Sequence, residues 1–125
     1  MTENEISKIF LDIAFKVHKT LGSGLFESVY ENIVCYELDK QNIPYDIQKT
    51  VPIEYDGRKF DNAFRADIII DNKVIIELKS VEKLNDLHKK QLLTYLKLTG
   101  LRLGLLINFN ETLLKNGIVR IVNNL

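Results

Sequence analysis

Hydrophobic residues recur at helical spacing in the first part of the chain. Over residues 6–21 they return every three or four positions, which predicts an amphipathic helix. Thr2 and Glu5 precede this segment with the spacing of a capping box. A Gly-Ser-Gly sequence at residues 22–24 breaks the pattern, and helical character resumes over about Phe26–Gln41. The chain therefore predicts two consecutive helices.

A different pattern, in which hydrophobic and polar positions alternate, begins where the second helix ends. It predicts a strand over about Tyr45–Tyr55, in which Pro52 favours an edge or irregular position. Asp56-Gly57 is a strong hairpin-turn sequence. Strand character then covers Arg58–Asp61 and Phe64–Ile70, and an interruption is predicted between these two segments.

The last part of the chain alternates between aliphatic and amphipathic segments. Strands are predicted over Lys73–Val81 and Leu103–Phe109, and a helix over about Asn85–Thr99 lies between them. Because a crossover helix joins parallel strands with a right-handed connection, we expect these two strands to be parallel. A final strand is predicted over Gly117–Val122. The element order α-α-β-β-β-α-β-β indicates an α/β sandwich with one mixed sheet.

Length and composition limit the class of protein. The chain has 125 residues, which suits a single domain over residues 1–125 with a substantial hydrophobic core. Hydrophobic residues make up 46% and charged residues 27%, as in ordinary globular proteins. The 17 basic and 17 acidic residues balance, which excludes the strong positive charge of many nucleic-acid-binding proteins. Contact with nucleic acid would therefore need local basic clusters or metal ions.

The single cysteine, Cys35, excludes an intramolecular disulfide and a cysteine-based zinc site. Its apolar neighbours predict a buried residue rather than a nucleophile. The N-terminal sequence lacks the basic and apolar regions of a signal peptide. No apolar run approaches the roughly 20 residues of a membrane span. These features predict a cytoplasmic protein without a membrane partner.

Three charged residues, Asp67, Glu77 and Lys79, interrupt the otherwise aliphatic stretch FRADIIIDNKVIIELKS at residues 64–80. Glu77 and Lys79 are two positions apart, so they should face the same side of a strand. A two-residue turn before them would leave Asp67 on the opposite face. A three-residue turn at Asp71–Lys73 would instead place Asp67 directly opposite Glu77, with their Cβ atoms about 5 Å apart.

Two interpretations of these three residues follow. Two carboxylates at that distance repel each other unless a cation lies between them, and hard oxygen ligands suit Mg²⁺ or Mn²⁺. A lysine beside such an ion can orient or deprotonate a water molecule and stabilise negative charge on a phosphate. Alternatively, Asp67, Glu77 and Lys79 form an ordinary solvated sheet face with a weak ion pair. The spacing alone leaves both interpretations open.

The same stretch resembles the motif of the PD-(D/E)XK nuclease superfamily. Asp67 corresponds to the first acid and Glu77-Leu78-Lys79 to the E-x-K sequence, while Ala66 replaces the proline of the superfamily's name. GLFESVY at residues 24–30 is similar to the G-x-x-E-x-x-Y signature of a bacterial branch of that superfamily, the GxxExxY protein family. Further blocks that resemble this family follow in order along nearly the whole chain.

This resemblance implies a restriction-endonuclease-like α/β fold. Its α-β-β-β-α-β core has a mixed central sheet flanked by helices, and an extra N-terminal helix would precede it here. Asp67 and Glu77 would bind the metal ion, Mg²⁺ or Mn²⁺, together with the backbone carbonyl of Leu78. Lys79 would be the catalytic lysine, and Glu27 would approach the metal from the second helix.

The resemblance extends to the third helix. Gln91 and Tyr95 have the Q-x-x-x-Y spacing of exonuclease-like branches, which puts both on one helix face, where they would touch DNA or support the site. Each candidate on a helix also has a simpler explanation. Glu27 would be an acid favoured by the helix dipole, and Gln91 a surface residue. Tyr30 and Tyr95 would be core tyrosines with hydrogen-bonded hydroxyl groups.

The function implied by the resemblance is divalent-metal-dependent hydrolysis of phosphodiester bonds, with DNA as the expected substrate. A nuclease-fold module that binds protein or nucleic acid without cutting it is the alternative, and hydrolysis of a small phosphate ester is another. A short, neutral chain has little room for a recognition domain, so a homo-oligomer or protein partner would supply further DNA-binding surface. A local positive bias would either meet phosphates or form a solvated helix face; its residues are Lys83, His88, Lys89, Lys90, Lys97 and Arg102.

Overall fold

Three α-helices and five β-strands make up the fold in the computed structural model, which describes all residues from Met1 to Leu125. The helices are α1 (Glu3–Leu21), α2 (Glu27–Lys40) and α3 (Asp86–Thr99). The strands are β1 (Tyr45–Tyr55), β2 (Arg58–Ile70), β3 (Val74–Lys79), β4 (Leu103–Asn108) and β5 (Ile118–Val122). A short 3₁₀ helix, Leu114–Gly117, precedes β5.

All five strands belong to one sheet, in the spatial order β1-β2-β3-β4-β5. Helix α3 crosses from β3 to β4, and these two strands are parallel, as the crossover pattern predicted. Every other neighbouring pair of strands is antiparallel. The sheet is therefore mixed, and α2 to β4 form the α-β-β-β-α-β core of a restriction-endonuclease-like fold, with α1 as the additional N-terminal helix.

The interruption predicted between Asp61 and Phe64 is present in the pairing of β2 with β1. β2 runs from Arg58 to Ile70, but its residues 61–63, between Phe60 and Phe64, have no partner on β1. A single residue of β1, between Val51 and Ile53, lies opposite them, and the register shifts there. Pro52 lies at that point, since proline lacks the N–H that a regular ladder needs. β1 is also an edge strand, as the presence of a proline indicated.

The turn between β2 and β3 sets the register on which the predicted site depends. Ile70 pairs with Val74, so the turn consists of the three residues Asp71–Lys73. Its first two residues have positive φ angles of 50° and 52°, which Asp and Asn tolerate better than most residues. The same register, continued beyond the last paired residues, places Asp67 opposite Glu77. The metal-site interpretation required a turn longer than two residues, and the structure confirms this requirement.

Hydrophobic clusters fill both sides of the sheet. The larger cluster lies between the sheet and helices α1 and α2, and it includes Phe10, Tyr30 and Ile68. The smaller cluster lies under α3, around Leu92. Cys35 belongs to the larger cluster, as predicted, and burial raises the pKa of its thiol to about 11, which keeps it protonated at neutral pH. None of the helices combines the length and hydrophobicity needed to cross a membrane.

Candidate active site

Asp67 lies where strands β2 and β3 separate. Their backbone pairing ends at Ile68 and Ile76. Beyond that pair, the side chain of Asp67 instead of its backbone bonds β3. Its Oδ2 accepts a hydrogen bond from the backbone N–H of Leu78 at 2.8 Å. Its Oδ1 accepts a longer hydrogen bond, at 3.4 Å, from the side-chain amide of Gln48. The carboxylate is thus aimed along the sheet towards β3.

Glu77 supplies the second carboxyl group and is only 8% exposed. Its Oε1 is the one buried side-chain nitrogen or oxygen in the chain that has no hydrogen-bond partner. Burial and then the negative charge of Asp67 raise the pKa of Glu77 to about 9. The two carboxyl groups are therefore neighbours, as the three-residue turn required.

A divalent cation fits the oxygen atoms collected here. Buried carboxylates ordinarily have partners, and a cation between Asp67 and Glu77 would supply one to the unpaired Oε1. The carbonyl of Leu78 points towards β2, because the N–H and C=O of one strand residue share a direction and this N–H bonds Asp67. These groups are the hard oxygen ligands that Mg²⁺ and Mn²⁺ prefer.

Lys79 ends β3 on the same side of the strand as Glu77, as the spacing predicted. Its side chain is half-buried, and its positive charge opposes the rise in the pKa of Glu77 without cancelling it. The ion pairs of the structure involve other lysines, so no carboxylate holds this ammonium group. Lys79 can therefore meet a negatively charged ligand beside the two acids.

Glu27 is the first residue of α2 and lines a cleft of about 320 Å³ together with Asp67, Gln48 and Arg65. Leu78 also lines this cleft, whereas Glu77 and Lys79 do not. Its Oε1 accepts a hydrogen bond from the backbone N–H of Ser80, just after β3, at 3.3 Å. No three Asp, Glu, His or Cys side chains in the chain come close enough to form a metal-binding group. The structure thus brings Glu27 near Asp67, and its role as an additional metal ligand stays a prediction.

The tyrosine of the G-x-x-E-x-x-Y sequence has a structural role. Tyr30 is fully buried, and its ring stacks on Phe109 with the ring centroids 4.3 Å apart. Its hydroxyl donates a hydrogen bond to the carbonyl of Gly22 at 2.6 Å and accepts one from the N–H of Leu25 at 3.3 Å. Tyr30 is thus the core tyrosine of the simpler interpretation, and it holds the loop that presents Glu27.

Tyr95 and Gln91 differ in position, although both lie on α3. Tyr95 stacks on Phe64, with the ring centroids 3.9 Å apart, and packs against the cluster under α3. Burial and then the charges of Glu77 and Asp67 raise the pKa of Tyr95, so its hydroxyl lies within electrostatic range of the carboxyl groups. Gln91, one turn earlier, is exposed. Tyr95 therefore combines packing with proximity to the site, whereas Gln91 has the exposure of a surface residue.

Three polar residues at the site were not singled out from the sequence. Gln48 on β1 donates hydrogen bonds to both Asp67 and Glu31, and Glu31 lines the cleft. Asn108, fully buried at the end of β4, accepts a hydrogen bond from the N–H of Val81 and donates one to its carbonyl. The spacing of one helical turn from the first residue of α2 could have indicated Glu31. Nothing local indicates the two amides, because their partners are distant in sequence.

Part of the positive bias around α3 has a structural role. The side chain of His88 accepts a hydrogen bond from the backbone N–H of Asn85 in the capping box of α3. The guanidinium of Arg102 donates hydrogen bonds to the carbonyl of Asn124. The remaining members of the set are exposed lysines, Lys83, Lys89, Lys90 and Lys97. These lysines are the ones that can contact phosphate groups.

Comparison with known proteins identifies one family. The family model of the PD-(D/E)XK nuclease superfamily matches residues 4–121, which is nearly the whole chain. The matched range contains the two carboxyl groups, the lysine and both helices that border them. No curated protein and no solved structure matches the chain.

Proposed function

The chain belongs to the PD-(D/E)XK nuclease superfamily, and we propose that it is a divalent-metal-dependent nuclease that hydrolyses phosphodiester bonds, with DNA as its substrate. The observation that carries this proposal is the pairing of Asp67 with the buried Glu77, whose Oε1 has no protein partner. An ordinary solvated sheet face would expose both carboxyl groups and leave no orphaned oxygen. A bound cation would occupy that oxygen and offset the repulsion between the two acids.

Asp67, Glu77 and the carbonyl of Leu78 would hold the metal ion, which we expect to be Mg²⁺ or Mn²⁺. When bound, such an ion polarises a phosphoryl oxygen and stabilises the charge that develops on it. The N–H of Leu78 and the amide of Gln48 orient the Asp67 carboxylate through its two oxygens. Glu27 would act as an outer or additional ligand, since a backbone N–H just after β3 holds its carboxylate at the edge of the cleft.

Lys79 is the residue that we assign to the reacting phosphate. Its ammonium group, on the Glu77 side of β3, would orient the attacking water and stabilise negative charge on the phosphate oxygens. The water oxygen forms a bond to phosphorus while the bond from phosphorus to the leaving sugar oxygen breaks. The proton that the water loses and the proton that the leaving oxygen gains are exchanged with solvent. Tyr95 and Gln91 would contact DNA or support the site from α3.

We further propose that residues 1–125 form one domain of the GxxExxY branch. The contacts of Tyr30 support this assignment, because its hydroxyl bonds the backbone of the glycine-containing loop, so the spacing of the signature corresponds to a contact. The chain is short and carries no net charge. Contact with DNA beyond the cleft would therefore come from the exposed lysines around α3 and from a protein partner or a second copy of the chain.

A catalytically silent nuclease-fold module is the second candidate function. It is favoured by the lack of a third acidic side chain at the pair formed by Asp67 and Glu77, and by the hydrogen bond that ties Glu27 to the backbone. Such a protein would keep the fold and bind nucleic acid or protein without metal-dependent hydrolysis. Metal binding and cleavage assays separate the two candidates.

Thermal unfolding with and without Mn²⁺ tests the metal site. We expect Mn²⁺ to raise the melting temperature of the wild-type protein, because a ligand that binds only the folded state stabilises it. Glu77→Gln should abolish this rise, since glutamine keeps the shape of the side chain but removes the charged ligand. Glu54→Gln, at an exposed acid on β1, is the matched control and should keep the rise.

Cleavage assays on single-stranded DNA, double-stranded DNA, RNA and simple phosphodiesters identify the substrate. We expect metal-dependent cleavage of DNA that Glu77→Gln reduces by about 100-fold or more. Wild-type protein that neither binds Mn²⁺ nor cleaves any of these substrates would exclude the nuclease and favour the binding module. Hydrolysis confined to simple diesters would indicate a small phosphate ester as the substrate.

A further inference from the structure

Gln48 has a backbone geometry that is unusual for its residue type. Its φ is 49°, in the left-handed region, although the residue lies within strand β1. Every other non-glycine residue with a positive φ is Asn or Asp, whose short polar side chains tolerate this region. Such outliers persist where the surrounding structure imposes them, and they concentrate at functional sites.

Opposite Gln48, the side chains of strand β2 switch from one side of the sheet to the other. Ala66 packs in the hydrophobic cluster under α3, whereas Ile68 packs in the cluster under α1 and α2. Residues two apart on a regular strand share a face, so β2 must turn over at Asp67. The regular pairing of β1 with β2 continues on both sides but omits the pair that Gln48 and Asp67 would form. The outlier therefore coincides with the point where Asp67 turns from the sheet face towards β3.

The side chain of Gln48 reaches two acids from this position. Its Nε2 donates a hydrogen bond to Oε1 of Glu31 at 2.8 Å and a longer one to Oδ1 of Asp67 at 3.4 Å. The other oxygen of Asp67 accepts a hydrogen bond from the N–H of Leu78 at 2.8 Å. One amide group thus connects helix α2 to a candidate metal ligand, and Asp67 is held through both of its oxygens.

We propose that Gln48 is a positioning residue for the metal site, whose amide, fixed by Glu31, orients the carboxylate of Asp67 so that it meets the metal ion together with Glu77. This inference rests on the proposed function. Loss of a hydrogen-bond partner behind a metal ligand typically weakens metal affinity about 10–100-fold. A neutral amide suits this role, because it orients the carboxylate without adding a positive charge that would repel the cation.

Two substitutions separate the amide of Gln48 from its backbone. Gln48→Gly adopts the left-handed geometry freely but has no amide. Gln48→Met keeps the length of an unbranched side chain and also has no amide. If only the backbone geometry matters, Gln48→Gly binds metal like the wild type. If the amide positions Asp67, both variants bind metal more weakly.

Isothermal titration with Mn²⁺ measures this difference, and the melting temperature in EDTA checks the folding of each variant. We expect both variants to unfold cooperatively in EDTA and to bind Mn²⁺ about 10–100-fold more weakly than the wild type. Turnover of Gln48→Gly should recover when the Mn²⁺ concentration is raised by the same factor. Asn62→Gly is the matched control and should keep wild-type affinity, because Asn62 has a φ of 60° on the same hairpin without a contact to the acids.

The outcomes distinguish this inference from the proposed function. Wild-type affinity for Mn²⁺ in Gln48→Gly overturns the positioning role and leaves the proposed function intact, whether or not Gln48→Met folds. Loss of folding in both variants assigns Gln48 to the stability of the hairpin and also overturns the positioning role. Wild-type protein that binds no Mn²⁺ overturns the proposed function and this inference with it.

Discussion

Glu77 and Asp67 are neighbouring acids with very different surroundings. Glu77 is a buried residue, and buried carboxyl oxygens ordinarily have hydrogen-bond partners, yet its Oε1 has none. Asp67, by contrast, accepts hydrogen bonds through both oxygens. Glu77 is therefore the acid with an unpartnered buried oxygen, and Asp67 is the acid that other groups of the protein already orient.

Lys79 allows metal binding and catalysis to be tested separately. Lys79→Met removes the ammonium group but keeps an unbranched side chain at this half-buried position. We expect turnover at saturating Mn²⁺ to fall by about 100-fold or more, because a single positioned donor commonly contributes that much. The rise in melting temperature with Mn²⁺ should persist.

Lys115→Met is the control for this substitution, because Lys115 is an exposed lysine of the short 3₁₀ helix and lies outside the set of lysines around α3. It should keep wild-type turnover. Initial rates of DNA cleavage compare the two variants. A Lys79→Met protein that cleaves at the wild-type rate would remove this lysine from the mechanism.

The charged residues of the site could be predicted from the sequence, but the residues that hold them could not. Asp67, Glu77 and Lys79 stand out because charge interrupts an aliphatic run. Gln48 and Asn108 are single amides whose partners lie elsewhere in the chain, so no local pattern identifies them.

At the scale of elements, side chains anchor the loop between α1 and α2 at both of its ends. The hydroxyl of Tyr30 bonds the backbone of Gly22 and Leu25. The hydroxyl of Ser80 donates a hydrogen bond to the carbonyl of Leu25 at 2.7 Å. The loop is thus joined both to the core and to the end of β3, and this brings Glu27 to the cleft.

Tyr30→Phe tests the anchor of this loop. The substitution keeps the ring that stacks on Phe109 but removes the hydroxyl with its two hydrogen bonds. We expect the free energy of unfolding to fall by about 1–2 kcal/mol, as measured by urea denaturation. Tyr36→Phe, at a tyrosine that is 60% exposed, should change it little. Equal effects of the two substitutions would contradict the role of the buried hydroxyl.

The packing of α3 on the sheet depends on a glycine in β4. A Cβ atom at Gly104 would lie 2.8 Å from Cδ1 of Leu92, which is fully buried on α3. We expect Gly104→Ala to lower the free energy of unfolding by about 1–3 kcal/mol, since overpacking strains a close-packed core. Urea denaturation measures this loss.

A double-mutant cycle with Leu92→Ala identifies the cause of that loss. In the Leu92→Ala background the alanine at position 104 should cost much less, because the side chain that it would strike is gone. The same cost in both backgrounds would show that the contact between Gly104 and Leu92 is not responsible.

Two features of strand β2 show how far the elements could be predicted. The aliphatic alternation does not distinguish a two-residue turn from the observed three-residue turn at Asp71–Lys73, and only the metal-site interpretation required the longer turn. The interruption predicted between Asp61 and Phe64 is present as three residues without a partner on β1, although the strand itself continues to Ile70. Propensity is local, whereas pairing depends on the partner strand.

At the scale of the whole molecule, hydrophobic clusters on both sides of the sheet hold the helices to it. The larger cluster alone has 19 buried residues, so most of the packing does not involve the two acids. The acids lie where β2 and β3 separate, beyond the last pair of their ladder. The fold should therefore form without its metal ion.

Removal of the metal tests this independence. We expect the protein in EDTA to unfold cooperatively, and Mn²⁺ at 100 times its Kd to add about 2.7 kcal/mol to the free energy of unfolding. The dependence of that free energy on urea concentration should keep its slope, because the surface exposed on unfolding is unchanged. A chain that is unfolded in EDTA would show that the ion is part of the core.

The sequence by itself determined the helices, most strand boundaries, the parallel crossover from β3 to β4 and the identity of the charged residues, because periodicity and local charge belong to neighbouring positions. The tertiary structure decided which residues meet. Tyr30 anchors the loop that brings Glu27 to the cleft, and the left-handed backbone of Gln48 coincides with the turn of Asp67 towards β3. These outcomes depend on contacts between residues that are far apart in the chain, and no local pattern contains them.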